Sequence, residues 1–249
     1  MIGNDFVITS GFNGGYSTAT NATYALDMFT PNARWRRMDD MPFPLGLTHL
    51  GVAVKGMKAY FCGGYVGGSL GIHNGSCFQY DHSIAPGTGN SQWTNFSSIP
   101  DGGRSGGGMI YDPTLDALVY SSGSQRPRKG SKGAIDFRNT WMYSLQNPGA
   151  GWVSKADIPF TSNHLNFVTA YDDVGTARHF FFGGQQGDNE ETGNTDLMYE
   201  YNAASDVWSK RQSIPYPLGH AAATARAIGC GFIVAGGRLN TGLTSAITY

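Results

Sequence analysis

The stretch "YFCGGYV" at residues 60–66 is an apolar run that ends in two glycines and is followed by another aromatic residue. Such a run predicts a β-strand that ends where the backbone leaves no room for a side chain. The combination returns as "FVITSG" (6–11), "AYFCGG" (59–64), "ALVYSSG" (117–123), "HFFFGG" (179–184) and "GFIVAGG" (231–237). The second glycines are 53, 59, 61 and 53 residues apart, so the chain is built from one repeated unit.

Other residue patterns recur with the same spacing as the glycine pairs. A tyrosine-containing run follows each glycine pair, and tryptophans recur 58, 59 and 56 residues apart, at Trp35, Trp93, Trp152 and Trp208. An apolar residue and a proline then follow each tryptophan, at 41–42, 99–100, 158–159 and 214–215. Because these independent patterns recur with the same spacing over almost the whole chain, they indicate an array of repeats.

A repeat of 50 to 60 residues with a double glycine, a tyrosine and a tryptophan resembles the kelch repeat, whose unit is one four-stranded propeller blade. The segments "THLGVAV" (48–54), "NHLNFVTAYD" (163–172) and "GGQQGDNEETGN" (183–194) are similar to extracellular kelch proteins of the galactose oxidase type. The resemblance implies an all-β kelch β-propeller of four-stranded antiparallel blades. Composition agrees, since 36 glycines and only 14% charged residues suit a turn-rich β protein.

Each complete repeat predicts four strands, a to d. In the second repeat these are 50–54, 58–62, 77–81 and 92–96, and Tyr80 and Trp93 are predicted to pack between neighbouring blades. We predict one kelch domain, or a segment of one, with repeats at approximately 1–46, 47–102, 103–161, 162–217 and 218–249. The first repeat lacks strand a and the last lacks strand d. This pattern favours part of a six- or seven-bladed ring, with an imperfectly closed five-repeat ring as the alternative.

Charge and hydropathy exclude some partners. The net charge of −1 gives no electrostatic basis for binding nucleic acid. No apolar stretch approaches the ~18 residues that a membrane span requires. The N-terminal "MIGNDFVITSG" does not have the pattern of a signal peptide. The predicted partner is a protein or a glycan, with assembly onto further blades or other subunits as an additional expectation.

The resemblance also implies a binding face. In kelch propellers the residues just before strand a and the loops between strands b and c line the mouth of the central channel. The corresponding pairs here are Thr48-His49, Arg104-Ser105, Asn163-His164 and Gly219-His220. We predict ligand contact by His49, Arg104, Ser105, Asn163, His164 and His220, which would form a polar collar for a sugar or a carboxylate. Alternatively, these side chains brace neighbouring loops. Imidazoles also suit zinc or copper, but no metal or cofactor is predicted.

Two b–c loops carry opposite charge. Residues 124–139 are basic and include Arg126, Arg128 and Lys129, whereas residues 185–195 are acidic and include Asp188, Glu190 and Glu191. These six residues are predicted to orient a partner. The alternative is that the two loops pair with each other in solvent.

The cysteines and glycosylation sequons bear on the compartment. Cys62 ends strand b and Cys77 begins strand c of one repeat, so either a disulfide or two buried thiols would fit, and Cys230 has no evident partner. Sequons at Asn21, Asn74 and Asn95 fit a secreted glycoprotein. We therefore predict an extracellular or cell-surface protein, with a cytoplasmic one as the alternative.

No complete reaction centre is evident, because the chain contains no phosphate-binding loop and no HExxH. We predict non-catalytic recognition of a glycan or protein on the b–c loop face. The first alternative is a carbohydrate-active enzyme of the copper-radical oxidase or sialic-acid mutarotase kind, and the second is a structural subunit of a surface assembly. An oxidase of that kind would need a tyrosine–cysteine crosslink and histidine ligands.

Overall fold

A computed structural model describes residues 1–13, 18–66, 71–89, 91–125, 135–187, 193–220, 223–224 and 232–240. The chain forms two compact units, Met1–Ser105 and Gly106–Tyr249, and each is described by itself below. Within the described ranges the regular elements are β-strands, apart from one turn of 3-10 helix at Pro148–Ala150. No helix in this part of the chain is long and apolar enough to cross a bilayer. The all-β prediction is confirmed.

The N-terminal unit contains two antiparallel sheets. The first has three strands, in the order β1 (Asp5–Thr9), β2 (Thr23–Asp27) and β3 (Arg36–Arg37). The second has β4 (Thr48–Lys55), β5 (Lys58–Val66), β7 (Cys77–Asp81) and β8 (Trp93–Phe96) in that order, and β6 (Ile72–His73) pairs with the end of β5. The four strands predicted for the second repeat lie at these positions.

The C-terminal unit contains two complete four-stranded sheets. One consists of β9 (Gly108–Asp112), β10 (Ala117–Ser121), β13 (Thr140–Ser144) and β14 (Trp152–Lys155). The other consists of β15 (Asn166–Tyr171), β16 (Ala177–Phe182), β17 (Met198–Asn202) and β18 (Val207–Lys210). Three short pairs accompany them: β11 (Ser124–Gln125) with β12 (Ile135–Asp136), β19 (Leu218–Gly219) with β22 (Arg238–Leu239), and β20 (Ala223–Thr224) with β21 (Val234–Ala235).

The repeated aromatic residues mostly build the core, because alternate side chains of each strand face the same side of the sheet. Tyr80 and Trp93 are buried, and their ring centroids lie 4.9 Å apart within one hydrophobic cluster. Tyr201 and Trp208 make the same contact at 4.5 Å in the C-terminal unit. Trp35 is different, because it is 46% exposed. Recurrence in the sequence therefore predicts the core position of these tryptophans well but not without exception.

Candidate functional site

The glycine pairs fix how the repeats align. The second glycine of each repeat has a φ between 87° and 104°, a backbone conformation that glycine adopts without steric cost. In the first four repeats its N–H donates to a carbonyl at the start of the next repeat, over 2.8 to 3.1 Å. The donor and acceptor pairs are Gly11 with Leu47, Gly64 with Arg104, Gly123 with Ser162, and Gly184 with Leu218.

These bonds correct the sequence alignment at the third repeat. Arg104 accepts the bond where the other repeats use Leu47, Ser162 and Leu218, so the residue equivalent to the histidines is two positions later. The equivalent set is therefore His49, Gly106, His164 and His220, and Ser105 matches Thr48, Asn163 and Gly219. The glycine-rich stretch "DGGRSGGG" (101–108) left this register ambiguous in the sequence.

The three histidines share an unusual backbone. His49, His164 and His220 have φ values of 57°, 51° and 52°, and Gly106 has 69°. Side-chain-bearing residues in this left-handed region cost of order 1–3 kcal/mol each and are concentrated at functional sites. Since the third repeat meets the same requirement with glycine, the histidines are not there for the backbone alone.

In the N-terminal unit, His49 belongs to a row of aromatic rings that we call the aromatic strip, made of Phe12, His49, Tyr65 and His73. The His49 ring lies edge-on to Phe12, with centroids 5.8 Å apart, and to Tyr65, at 6.5 Å. Tyr65 also contacts His73 at 5.3 Å. All four residues are half-buried.

In the C-terminal unit, His164 and His220 form what we call the histidine pair. Their rings stack with centroids 3.8 Å apart and planes 23° from parallel. His164 Nδ1 is hydrogen-bonded to Asn163 Oδ1, and His220 Nε2 is hydrogen-bonded to Gln185 Oε1 at 3.0 Å. Both rings are half-buried, whereas both amide partners are almost fully buried.

The orientation of each amide is fixed by its own hydrogen bonds. Asn163 Nδ2 donates to Asp136 Oδ1 at 2.7 Å and to the Gly187 carbonyl at 3.0 Å. Gln185 Nε2 donates to the same carbonyl at 2.8 Å, and Gly187 N–H donates to Asp136 Oδ2 at 2.6 Å. Because the amide nitrogens face away from the rings, each amide oxygen accepts an N–H from its histidine.

Arg104 and Ser105 are the residues predicted in the third repeat. The Arg104 side chain is fully buried and forms an ion pair with Asp101 within the N-terminal unit. Ligand contact by Arg104 stays a prediction. Ser105 Oγ lies 3.2 Å from His73 Nδ1, beside the aromatic strip. The loop predictions at Arg126, Arg128, Lys129, Asp188, Glu190 and Glu191 lie outside the described residues.

The structure joins Cys62 and Cys77 in a disulfide. The two residues are direct partners in the β5–β7 register, with Cα atoms 4.2 Å apart, and both are completely buried. The bond closes the base of the loop that carries Tyr65 and His73. Cys230 lies outside the described residues.

The three sequons differ in accessibility. Asn95 is exposed on β8. Asn21 and Asn74 are half-buried, and their Nδ2 atoms, which a glycan would modify, donate to the carbonyls of Met41 at 3.3 Å and of Gly63 at 3.2 Å. These contacts make Asn95 the best placed of the three for glycosylation.

Sequence reasoning missed the neighbours of the histidines. Phe12 and Gln185 each follow the second glycine of a repeat directly, and each contacts the histidine of the next repeat. Asp136 lies in the basic loop 124–139, where nothing in the sequence marks it as a partner of Asn163. The constant offset from the glycine pair was a signal that could have identified Phe12 and Gln185.

The glycine-pair repeats and the four-stranded antiparallel sheets define a β-propeller fold of the kelch type. The "Kelch-like protein terF" of Aspergillus terreus is 23% identical over 247 residues, which cover 95% of this chain and 48% of that protein. The chain thus spans about half the length of that curated relative. The solved structure titled "Structure of YjhT" matches with a TM-score of 0.64 and 16% identity, over 94% of this chain and 72% of that one. No protein-family model matches the chain. At these identities the solved structure supports the fold alone, and the galactose oxidase subtype remains a prediction.

Proposed function

We propose that this protein is a recognition module that binds a glycan through the residues at the histidine position and those that follow the glycine pairs. The observation that carries the proposal is the left-handed backbone of His49, His164 and His220, in a position where Gly106 satisfies the fold. Imidazole rings kept there at a conformational cost are best explained by contact with a ligand.

The chemistry around these residues favours a sugar. Half-exposed rings such as Tyr65 and Phe12 offer flat apolar surfaces of the kind that pack against the C–H face of a pyranose. In the C-terminal unit, the imidazoles of the histidine pair offer polar groups for hydroxyls. In the N-terminal unit, His49 and His73 place polar groups among the apolar rings of the aromatic strip, a combination that is typical of small-ligand sites.

A glycan array followed by calorimetry tests the proposal. The purified chain is screened on the array, and the best ligand is titrated into wild type, Tyr65→Ala and His164→Asn. Asparagine tolerates the left-handed backbone, so His164→Asn removes the imidazole with little strain. Loss of one such contact should weaken binding by about tenfold. Tyr24→Ala is the matched control, because Tyr24 is an exposed tyrosine on β2 of the same unit.

Two results would count against glycan recognition. One is an array on which no sugar exceeds background. The other is an equal loss of affinity in Tyr24→Ala and Tyr65→Ala, which would place the contact elsewhere.

The disulfide bears on the oxidase alternative. Cys62 and Cys77 are bonded to each other, so neither can form the tyrosine–cysteine crosslink that such an oxidase requires. Export remains our proposal for the compartment, and it is supported by the same disulfide, since such bonds persist mainly in oxidising environments. Proteinase protection and intact mass of the protein from its native source would test it.

A further inference from the structure

We propose that one face of the first sheet is a docking surface for a kelch-type sheet of another polypeptide. This surface, which we call the first-sheet face, consists of Phe6 and Ile8 on β1, Tyr24 on β2, and Trp35 just before β3. The proposal goes beyond glycan recognition and does not rest on it, because none of these residues belongs to the aromatic strip or the histidine pair.

The first-sheet face is apolar and exposed. Ile8 and Tyr24 are direct partners in the β1–β2 register, so their side chains lie on the same face of the sheet. Phe6 lies two residues before Ile8, and its ring contacts Trp35 with centroids 6.1 Å apart. The exposed fractions are 44% for Phe6, 42% for Ile8, 37% for Tyr24 and 46% for Trp35. Contiguous apolar patches on a protein surface mark interaction sites.

The equivalent positions of the other repeats are buried. Ile8 lies three residues before the second glycine of its pair, and its equivalents are 6%, 0% and 0% exposed, at Phe61, Tyr120 and Phe181. Phe6 lies five residues before that glycine, and its equivalents are 1%, 0% and 1% exposed, at Ala59, Leu118 and His179. The tryptophans that correspond to Trp35 in the second and third repeats, Trp93 and Trp152, are also buried. The first-sheet face therefore uses positions that the other repeats bury, and yet it is exposed.

Two clusters in the core show what covers such a face. In the N-terminal unit, the equivalent face of the second sheet shares a hydrophobic cluster with apolar residues of the first repeat, Ile2 and Met41. In the C-terminal unit, Phe181 shares a cluster with Ile110 and Val119, which lie on strands a and b of the preceding repeat. The occupant that fits the first-sheet face is therefore a kelch-type sheet with aliphatic residues on its strands a and b. Because the face is exposed in this chain, that sheet is supplied by another polypeptide.

The edge of the first sheet offers a further contact. Within the described residues, β1 lies at the edge of its sheet, whereas the corresponding strands β5, β10 and β16 each have a strand on both sides. Edge strands present N–H and C=O groups that pair with a strand of another polypeptide. β1 thus offers a partner main-chain hydrogen bonds in addition to its apolar side chains.

Site-specific photo-crosslinking tests the proposal. The full chain, with p-benzoylphenylalanine in place of Ile8, is produced in cells of its native source and irradiated, and the crosslinked peptides are mapped by mass spectrometry. The crosslink should map to another polypeptide, at strand a or b of a repeat in which an apolar run leads to two adjacent glycines. The matched control places the same amino acid at Val54, an exposed apolar residue on β4 of the same unit, and should not give that crosslink.

A binding measurement on the crosslinked partner follows. The partner is purified, and its affinity for wild type, Ile8→Lys and Val54→Lys is measured by calorimetry. A lysine within the apolar contact should weaken binding at least about tenfold, whereas Val54→Lys should leave the affinity within about twofold of wild type. Both side chains are exposed, so both variants should keep the fold, which circular dichroism checks.

Three results would overturn the proposal. The first is no crosslink from position 8 beyond that from position 54. The second is a crosslink to a polypeptide without glycine-pair repeats, or to this chain itself, in the same molecule or in a second copy. The third is equal affinity of the partner for Ile8→Lys and wild type. None of these results bears on glycan binding, so the two proposals fail separately.

Discussion

Removing the Cys62–Cys77 disulfide should destabilise the N-terminal unit by a calculable amount. The bond spans 15 residues. Constraining a loop of that length lowers the entropy of the unfolded chain and stabilises the fold by about 3 kcal/mol. For a protein of this size each kcal/mol shifts the melting temperature by about 2–4 °C, so the loss should be about 6–12 °C.

The assay compares wild type with the double variant Cys62→Ala/Cys77→Ala, with and without reductant, by calorimetry and urea denaturation. Wild type should lose stability in reductant, and the double variant should match reduced wild type and not respond to reductant. Thiol titration of the denatured, unreduced protein should find one of the three cysteines free. Three free thiols in protein from its native source, or a double variant as stable as oxidised wild type, would refute the reasoning.

Three further predictions concern backbone and charge. Gly106→Ala should lower the free energy of unfolding, measured by urea denaturation, by about 1–3 kcal/mol. The φ of Gly106 is 69°, and a Cβ there would lie 2.6 Å from the backbone nitrogen of His164; unchanged stability would contradict this. His164→Gly should change the free energy of unfolding in urea denaturation by less than about 1 kcal/mol, since relief of backbone strain offsets the lost contacts and the gained chain entropy; a larger loss of stability would contradict this. Hydrogen bonds from Arg178 hold the pKa of Glu200 below its ordinary 4.5. Burial raises the pKa of Asp112, but hydrogen bonds led by that of His179 outweigh it and leave the pKa below 3.8. A lowered pKa stabilises the fold above the ordinary value, so stability should fall as the pH drops through 4.5 and below 3.8, and Glu200→Gln should flatten the upper part of that acid transition.

The sequence predicted the sheets because strand ends are enforced locally. Glycine pairs with a left-handed φ and alternating aromatic residues recur at regular intervals in the sequence. The strands of the second sheet lie at the positions that these intervals predict. The Cys62–Cys77 contact was likewise predictable from strand geometry, although periodicity could not choose between a disulfide and two thiols.

The site was less predictable because its contacts cross from one repeat to the next. The sequence alone aligns Arg104-Ser105 with the three histidine-containing pairs, because three glycines follow closely and any of them could be the residue equivalent to the histidines. Only the hydrogen bond from Gly64 to the Arg104 carbonyl resolves that choice. Asp136 gave no periodic signal, because its partner Asn163 belongs to the next repeat and is 27 residues away.

The contacts of Phe12 with His49 and of Gln185 with His220 have a consequence for how such a face diversifies. In each case one side chain follows strand b of a repeat, and the other lies at or just before the start of strand a of the next. Replacing one whole repeat would therefore remove one residue of each such contact and leave its partner in the neighbouring repeat. The segment that can be grafted with its contact intact runs from the glycine pair of one repeat to the histidine of the following one. The unit of recombination is therefore displaced by about a third of a repeat from the unit of folding.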